Sequence, residues 1–286
     1  MASAEPGTGL LLRIQSIHGS LTKAERRVAD AVLSDPQAAI FDSVTDLAEK
    51  AGVGETTVLR FCRTLGCRGY QEFKLLLARD ESLGARNLGE DLEESDDPGA
   101  ILAKVTQNNA DAVSKTGALL SPAAVDRAVE AIRRARRVEI YGVGTSGVTA
   151  LDAMYRFRRI GINMTAIPDP HYAAMSAVLL GPEDVAIGIS HSGSTKDTLA
   201  ALRAARQAGA TTICLTAHAR SPITAEADIV LLTAPREAPL EGSSFAAKIA
   251  QIHALDVIYV ALALRDRERS LRLTEKTASA VVDRLV

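Results

Sequence analysis

Residues 138–152 read VEIYGVGTSGVTALD. A β-branched run comes first, then Gly142-x-Gly144-x-x-Gly147, then a stretch with helical spacing. Strand, glycine turn and helix in that order form the opening unit of a parallel α/β sheet, since a parallel neighbour is reached only through a crossover. The glycine spacing is also that of a dinucleotide-binding turn. That reading asks for an acid on the ribose about 20 residues further on, and Asp169 stands close to that place. Ser146, inside the turn, points to a different ligand.

A second turn bears on the choice. Residues 187–198, IGISHSGSTKDT, follow another apolar run and open another helix. Ser190, Ser192, Gly193, Ser194 and Thr195 crowd into that turn. A dinucleotide site does not call for it, whereas a phosphate does. Free amides at a helix start attract an anion. Hydroxyls donate to phosphate oxygens, and glycine lets the backbone approach. Gly144 and Ser146 offer the same chemistry from the first turn.

The surrounding pattern supports a doubly wound sheet. Candidate strands cover residues 138–141, 163–167, 185–190, 211–216 and 229–232, with Ala-rich helical stretches between them. Alternation of this kind implies parallel strands with both faces covered by helices. Helical runs at 100–119 and 122–136 precede the sheet, and a long helix at 244–264 with a shorter tail follows it.

Upstream the texture is all helical. Residues 22–36 carry helical apolar spacing, with Thr22 and Glu25 as a capping box and Pro36 ending the run. Further helices are expected at 43–51, 55–65 and from Tyr70 onward. Within LAEKAGVGETTVLRF, residues 47–61, Ala48 allows close helix crossing and Gly52 suits a sharp turn. Val53, Val58 and Phe61 return to the core, which is the helix-turn-helix pattern. Thr56, Thr57, Arg60 and Arg63 then face outward, with Arg68 and Lys74 beyond them. Thr and Arg suit base edges; Arg68 and Lys74 are expected at phosphates.

The expected architecture is therefore α plus α/β: an N-terminal all-helical helix-turn-helix domain (residues 1–86), an acidic linker (87–99), and a doubly wound parallel five-stranded sheet (100–286). The net charge of −2 confines any DNA-binding surface to a local patch. No apolar run looks long enough to span a bilayer, and the first ten residues read as a flexible start rather than a signal peptide. Cys62, Cys67 and Cys214 lack metal-ligand spacing, and they read as reduced core residues of a cytoplasmic protein. Neither a metal nor a cofactor is expected.

The segment LAEKAGVGETTVLRFCRTLGCRGYQEFK resembles the DNA-binding domain of RpiR/MurR-type transcriptional regulators, and GVGTSG and SHSGST resemble the phosphate turns of their sugar isomerase (SIS) domain. The resemblance implies a regulator whose operator affinity is set by a phosphorylated sugar or sugar acid. It places Ser146, Ser190, Ser192 and Thr195 on the phosphate, and His171 and Lys248 near the sugar or phosphate. One departure is Gly54, where many relatives have a Ser cap.

SIS folds also occur in aldose–ketose isomerases, which need a general base. Glu241, His253 and His191 are the candidates; Glu241 could equally bind sugar hydroxyls, and His253 lies in an apolar helical stretch where packing is expected. An NADH-sensing repressor using Asp169 is the third reading. Fusion to a DNA reader favours a non-catalytic sensor. One helix-turn-helix reads few base pairs, so a homodimer or homotetramer on a pseudo-palindromic operator is expected.

Overall fold

A computed structural model describes residues 9–81, 92–93, 95–234 and 245–282. Residues 1–8 of the expected flexible start, residues 87–91 and 94 of the acidic linker, and Glu241 lie outside the described residues. The chain divides into two compact units, one running to Val105 and the other beginning at Thr106.

The first unit contains α1 (Leu10–Ile17), α2 (Lys23–Ser34), α3 (Pro36–Phe41), α4 (Val44–Lys50), α5 (Glu55–Thr64) and α6 (Tyr70–Glu81). α2 starts at the expected capping box: Thr22 accepts from the Glu25 amide, and Glu25 accepts from the Thr22 amide. α4 starts with a second box built by Ser43 and Asp46. Two helices were not foreseen. Leu10, assigned by sequence to a flexible start, opens α1. Pro36 does close α2, yet it also sits at the first position of α3, where its missing N–H costs nothing and Asp35 caps the Ala38 amide.

The core of this unit joins Ile14, Val28, Val32, Leu47, Val58, Phe61, Cys62, Phe73 and Leu77. The Phe61 and Phe73 rings meet edge to face at 6.0 Å. Gly54 caps α5 without a side chain, and open space surrounds it: the nearest atom to a Cβ there would be Thr56 Oγ1 at 3.8 Å. Gly54→Ser is therefore expected to stabilise the protein by about 0.3 kcal/mol, read as a small rise in melting temperature.

α7 (Pro98–Leu119) and α8 (Pro122–Arg134) lead into the α/β part of the chain. There follow β1 (Arg137–Tyr141), α9 (Thr145–Arg159), β2 (Met164–Ile167), α10 (Pro170–Ala177), β3 (Asp184–Ile189), α11 (Lys196–Gln207), β4 (Thr211–Thr216), β5 (Ile229–Leu232), α12 (Phe245–Arg265) and α13 (Arg267–Val282). The sheet has five parallel strands in the order β2-β1-β3-β4-β5. Each expected strand is present to within one residue at either end.

Residues alternate between the two faces of the sheet, as the pleat requires. Val138, Ile140, Val185, Ile187, Ile213, Leu215 and Ile229 pack against α8, α9 and α12. Tyr141, Ala186 and Cys214 point the other way and pack against α10 and α11. Cys62, Cys67 and Cys214 are all buried, and burial pushes the Cys62 and Cys214 thiols up to about 12.

One expectation needs correcting. α12 has 21 residues and a mean hydropathy of 1.5 over its most apolar stretch, so by length and composition it could cross a membrane. Its apolarity has another physical source. Ala254, Leu255, Ile258 and Leu262 lie in the sheet core, and the buried Gln251 is paired with Thr149.

Candidate functional site

In the first unit, α4 and α5 meet at the turn inferred from the sequence. Gly52 adopts φ 62, and the Val53 amide donates to Ala48 O at 2.9 Å. Val58 and Phe61 are fully buried beneath α5. Their burial forces the opposite side of the helix outward. Thr56, Arg60 and Arg63 are exposed there, and Thr57 is half-buried. Thr45 Oγ1 donates to Glu55 at 2.5 Å, tying α4 to the first turn of α5.

Lys74 is not where the sequence placed it. It is buried, and its Nζ donates to the main-chain oxygen of Asp42 at 2.9 Å. The error has a simple cause. Tyr70, Phe73, Lys74 and Leu77 share one face of α6, and the long Lys stem reaches a carbonyl at the end of α3. Arg68 does stay exposed, bonded to Glu72 Oε1 at 3.1 Å. Lys74→Met is accordingly expected to cost about 1 kcal/mol of stability, by removing one of the two donors on that carbonyl and leaving the Tyr70 hydroxyl at 3.2 Å, without changing the salt dependence of DNA binding. Arg68→Ala is expected to reverse the pattern, lowering the salt slope by about one with little change in melting temperature.

The second site forms where the sheet reverses its winding. β1 pairs with β2 on one side and β3 on the other. α9 covers one face and α11 the opposite face. The turns leaving β1 and β3 therefore emerge side by side at the carboxyl edge, with a crevice between two helix starts.

In the first turn, Gly144 takes φ 62, and a Cβ on Gly142 would meet Ser146 O at 2.7 Å. Both glycines are thus required by the backbone, and Ser146 is buried on the first turn of α9. Lys248, from α12, donates to Thr145 O and Thr149 Oγ1, each at 3.1 Å. Burial holds its ammonium below the usual lysine range, with Asp152 acting the other way. A half-buried cation beside the positive end of a helix needs an anion.

In the second turn, Ser190 Oγ lies 3.0 Å from Thr195 Oγ1 and accepts from the Thr195 amide at 3.4 Å. Ser192 Oγ accepts from the Ser194 amide at 3.3 Å. Gly193 takes φ 63, and its carbonyl accepts from the Ile223 amide at 3.0 Å. Its missing side chain makes room for Ser221, whose Cβ and Oγ lie inside the space a Gly193 Cβ would need. Thr216 Oγ1 holds the His191 carbonyl at 3.2 Å.

So the structure brings Gly144, Ser146 and Lys248 together on one turn, and Ser190, Ser192, Gly193 and Thr195 on the next. His171 stands exposed on the first turn of α10, beyond β2. Sequence reasoning missed Thr149, Gln251, Thr216, His218 and Ser221. The first two are spaced for α9 and α12 to meet, but that pairing spans 102 residues. Thr216 ends β4 and His218 and Ser221 follow it, where no glycine motif draws attention. The His191 and His218 rings meet there at 6.5 Å.

The rival ligands fit less well. Asp169, required by the dinucleotide reading, caps α10 by accepting from the Tyr172 amide at 2.7 Å. His253, a candidate base, faces α7: its Nε2 would lie 3.8 Å from a Cβ on Gly117. Among the described residues no cluster of His, Cys, Asp and Glu could hold a metal ion.

The architecture matches known proteins from end to end. Residues 8–83 match the helix-turn-helix domain of the rpiR family, and residues 131–261 match the SIS domain. The chain is 37% identical over 285 residues to an uncharacterised HTH-type transcriptional regulator of Haemophilus influenzae, covering 97% of this chain and 98% of that one. It is also 37% identical to the bifunctional protein glk of Paraburkholderia xenovorans over 268 residues, which is 94% of this chain but 42% of that protein. Among solved structures, the Vibrio vulnificus NanR protein complexed with ManNAc-6P superposes with a TM-score of 0.87 at 30% identity, over 97% of this chain and 100% of that one. The helix-turn-helix, the five-stranded sheet and these relatives agree: the chain is a DNA-binding transcriptional regulator of the RpiR family, with a C-terminal SIS domain.

Proposed function

We propose that the crevice between the β1 and β3 turns binds a phosphorylated sugar or sugar acid, and that its occupancy sets operator affinity. The observation that carries this is the convergence of two hydroxyl-rich helix starts and Lys248 at the switch point of the sheet. Amides, hydroxyls and an ammonium all donate there, which suits a dianion. The NanR relative, solved with ManNAc-6P, supports the ligand class. Ser146, Ser190, Ser192 and Thr195 would take the phosphate, with Lys248 beside them. His171 and Glu241 are proposed for the sugar.

The reading is of a sensor rather than an isomerase. His253 is turned to a neighbouring helix rather than to either turn. The bifunctional protein glk matches this chain over only 42% of its own length. DNA reading is proposed for Thr56, Thr57, Arg60 and Arg63, with Arg68 on the phosphates. Reading a pseudo-palindrome requires at least two copies, so a homodimer or homotetramer is proposed; a chromosomal target supports the cytoplasm as its location.

The direct test is a thermal-shift panel of aldose, ketose, amino-sugar and sugar-acid phosphates. A ligand of the folded state raises its melting temperature. At 100 times its dissociation constant the gain is about 2.7 kcal/mol. The expected result is a rise with at least one phosphate and none with its unphosphorylated sugar; equal rises with both would contradict a phosphate site. Interconversion of aldose and ketose phosphates at enzymatic rates would replace the sensor with an isomerase.

A further inference from the structure

Glu25 sits on the first turn of α2 with only 6% of its side chain exposed, and it faces α5. Its Oε2 performs the helix capping, accepting from the Thr22 amide at 3.2 Å and the Thr22 hydroxyl at 2.5 Å. Its Oε1 does something the cap does not need. It accepts from Arg60 Nε and from Thr64 Oγ1, each at 3.2 Å. Those two residues are one helical turn apart on α5, the helix read as entering the groove.

The details of the grip matter. Arg60 keeps 56% of its side chain exposed while Glu25 is buried beneath it. The carboxylate engages Nε, the inner edge of the guanidinium. Nη1 and Nη2 donate no hydrogen bond to the described residues, and the exposed side chain keeps them available to a ligand. An acid at a DNA-facing surface repels phosphates and lowers affinity, unless it is covered and put to use. The Thr22, Thr64 and Arg60 hydrogen bonds, with the Thr22 hydroxyl first among them, hold this carboxyl below the usual range against the opposing effect of burial. Thr64 pins Oε1 from the other side, and its hydroxyl also lies 3.2 Å from the Arg60 carbonyl.

We infer that Glu25 is a positioning residue for DNA reading: it fixes the Arg60 side chain so that Nη1 and Nη2 meet a guanine end-on in the major groove. Arginine loses much rotamer freedom on binding, and prior anchoring reduces that loss. The paired outer donors match guanine O6 and N7, the commonest specific contact of this side chain. The inference rests on reading α5 as the recognition helix.

The experiment selects bound duplexes from a pool with a randomised central segment, using full-length protein. Wild type, Arg60→Ala, Glu25→Ala, Glu25→Gln and Thr64→Val are compared, each with its melting temperature. Wild type is expected to enrich one guanine per half-site, and Arg60→Ala to lose it. Glu25→Ala should weaken that same guanine preference about tenfold, the size of one bidentate contact, with the other positions intact. Glu25→Gln should fall between, because its single amide oxygen can accept from Nε or cap α2 but not both, and its NH2 only donates. If Glu25→Ala does not fold, Thr64→Val carries the test, with a smaller loss at the same position. A lower melting temperature with the guanine preference unchanged would make the pair a plain interhelical clamp and overturn the inference. If Arg60→Ala leaves the preference unchanged, the assignment of α5 fails first and the inference falls with it.

Discussion

Gly193→Ala is expected to abolish binding of the sugar phosphate, by at least about 100-fold, while leaving DNA binding without ligand intact. Two independent effects combine. Gly193 has φ 63, a conformation in which an L side chain is strained. The new Cβ would also occupy the place of Ser221 Oγ and crowd Thr216 Oγ1, at 3.1 Å. Ser221 is buried and donates to the His218 carbonyl, so it has little freedom to withdraw. The turn itself must then move, taking the Ser192 and Thr195 donors with it. A shift of about 1 Å in such donors costs on the order of 100-fold. Isothermal titration with the ligand found in the thermal-shift panel measures the loss. Thermal unfolding of the same variant separates a displaced turn from a protein that no longer folds.

The second large effect concerns the DNA-reading face. The double substitution Arg60→Ala with Arg63→Ala is expected to weaken operator binding by about 100-fold and to flatten sequence preference. Each arginine contact to a base edge is worth about 1–3 kcal/mol. Both side chains are exposed on α5, so folding should survive. Removing Arg60 leaves Glu25 with Thr22 and Thr64 as partners, which limits the cost of the uncovered carboxylate. Fluorescence anisotropy on the selected operator gives the affinity, and a scrambled duplex gives the preference. A variant that binds both duplexes as wild type does would show that α5 is not the reader.

Much of this was legible in the sequence, for identifiable reasons. The strands were readable because short β-branched runs ending in glycine turns leave little choice of structure. The two glycine-serine turns were readable because a glycine needed for backbone reasons stood beside a cluster of hydroxyls at a helix start. The helix-turn-helix was readable because Ala48, Gly52, Val53 and Phe61 are fixed by one tight crossing. What escaped was set by contacts distant in sequence. Lys74 looks like any surface lysine until the Asp42 carbonyl arrives from α3. Glu25 was seen as a cap, but its second oxygen serves a residue 35 positions away. Ser221 carries no motif and acquires its role only because Gly193 makes room for it. Pro36 was read as a stop, and a helix start obeys the same chemistry.

The central claim is that filling the crevice at the switch point is felt by the DNA-reading helices. A ligand can shift an equilibrium only by its differential affinity for the two arrangements. The decisive measurement is the operator dissociation constant at fixed salt, with and without saturating sugar phosphate, for wild type and for Ser190→Ala. The account predicts a change of about fivefold or more in wild type, in one direction, and none in Ser190→Ala. An unchanged constant in wild type with the ligand demonstrably bound, or an equal response in Ser190→Ala, would contradict it.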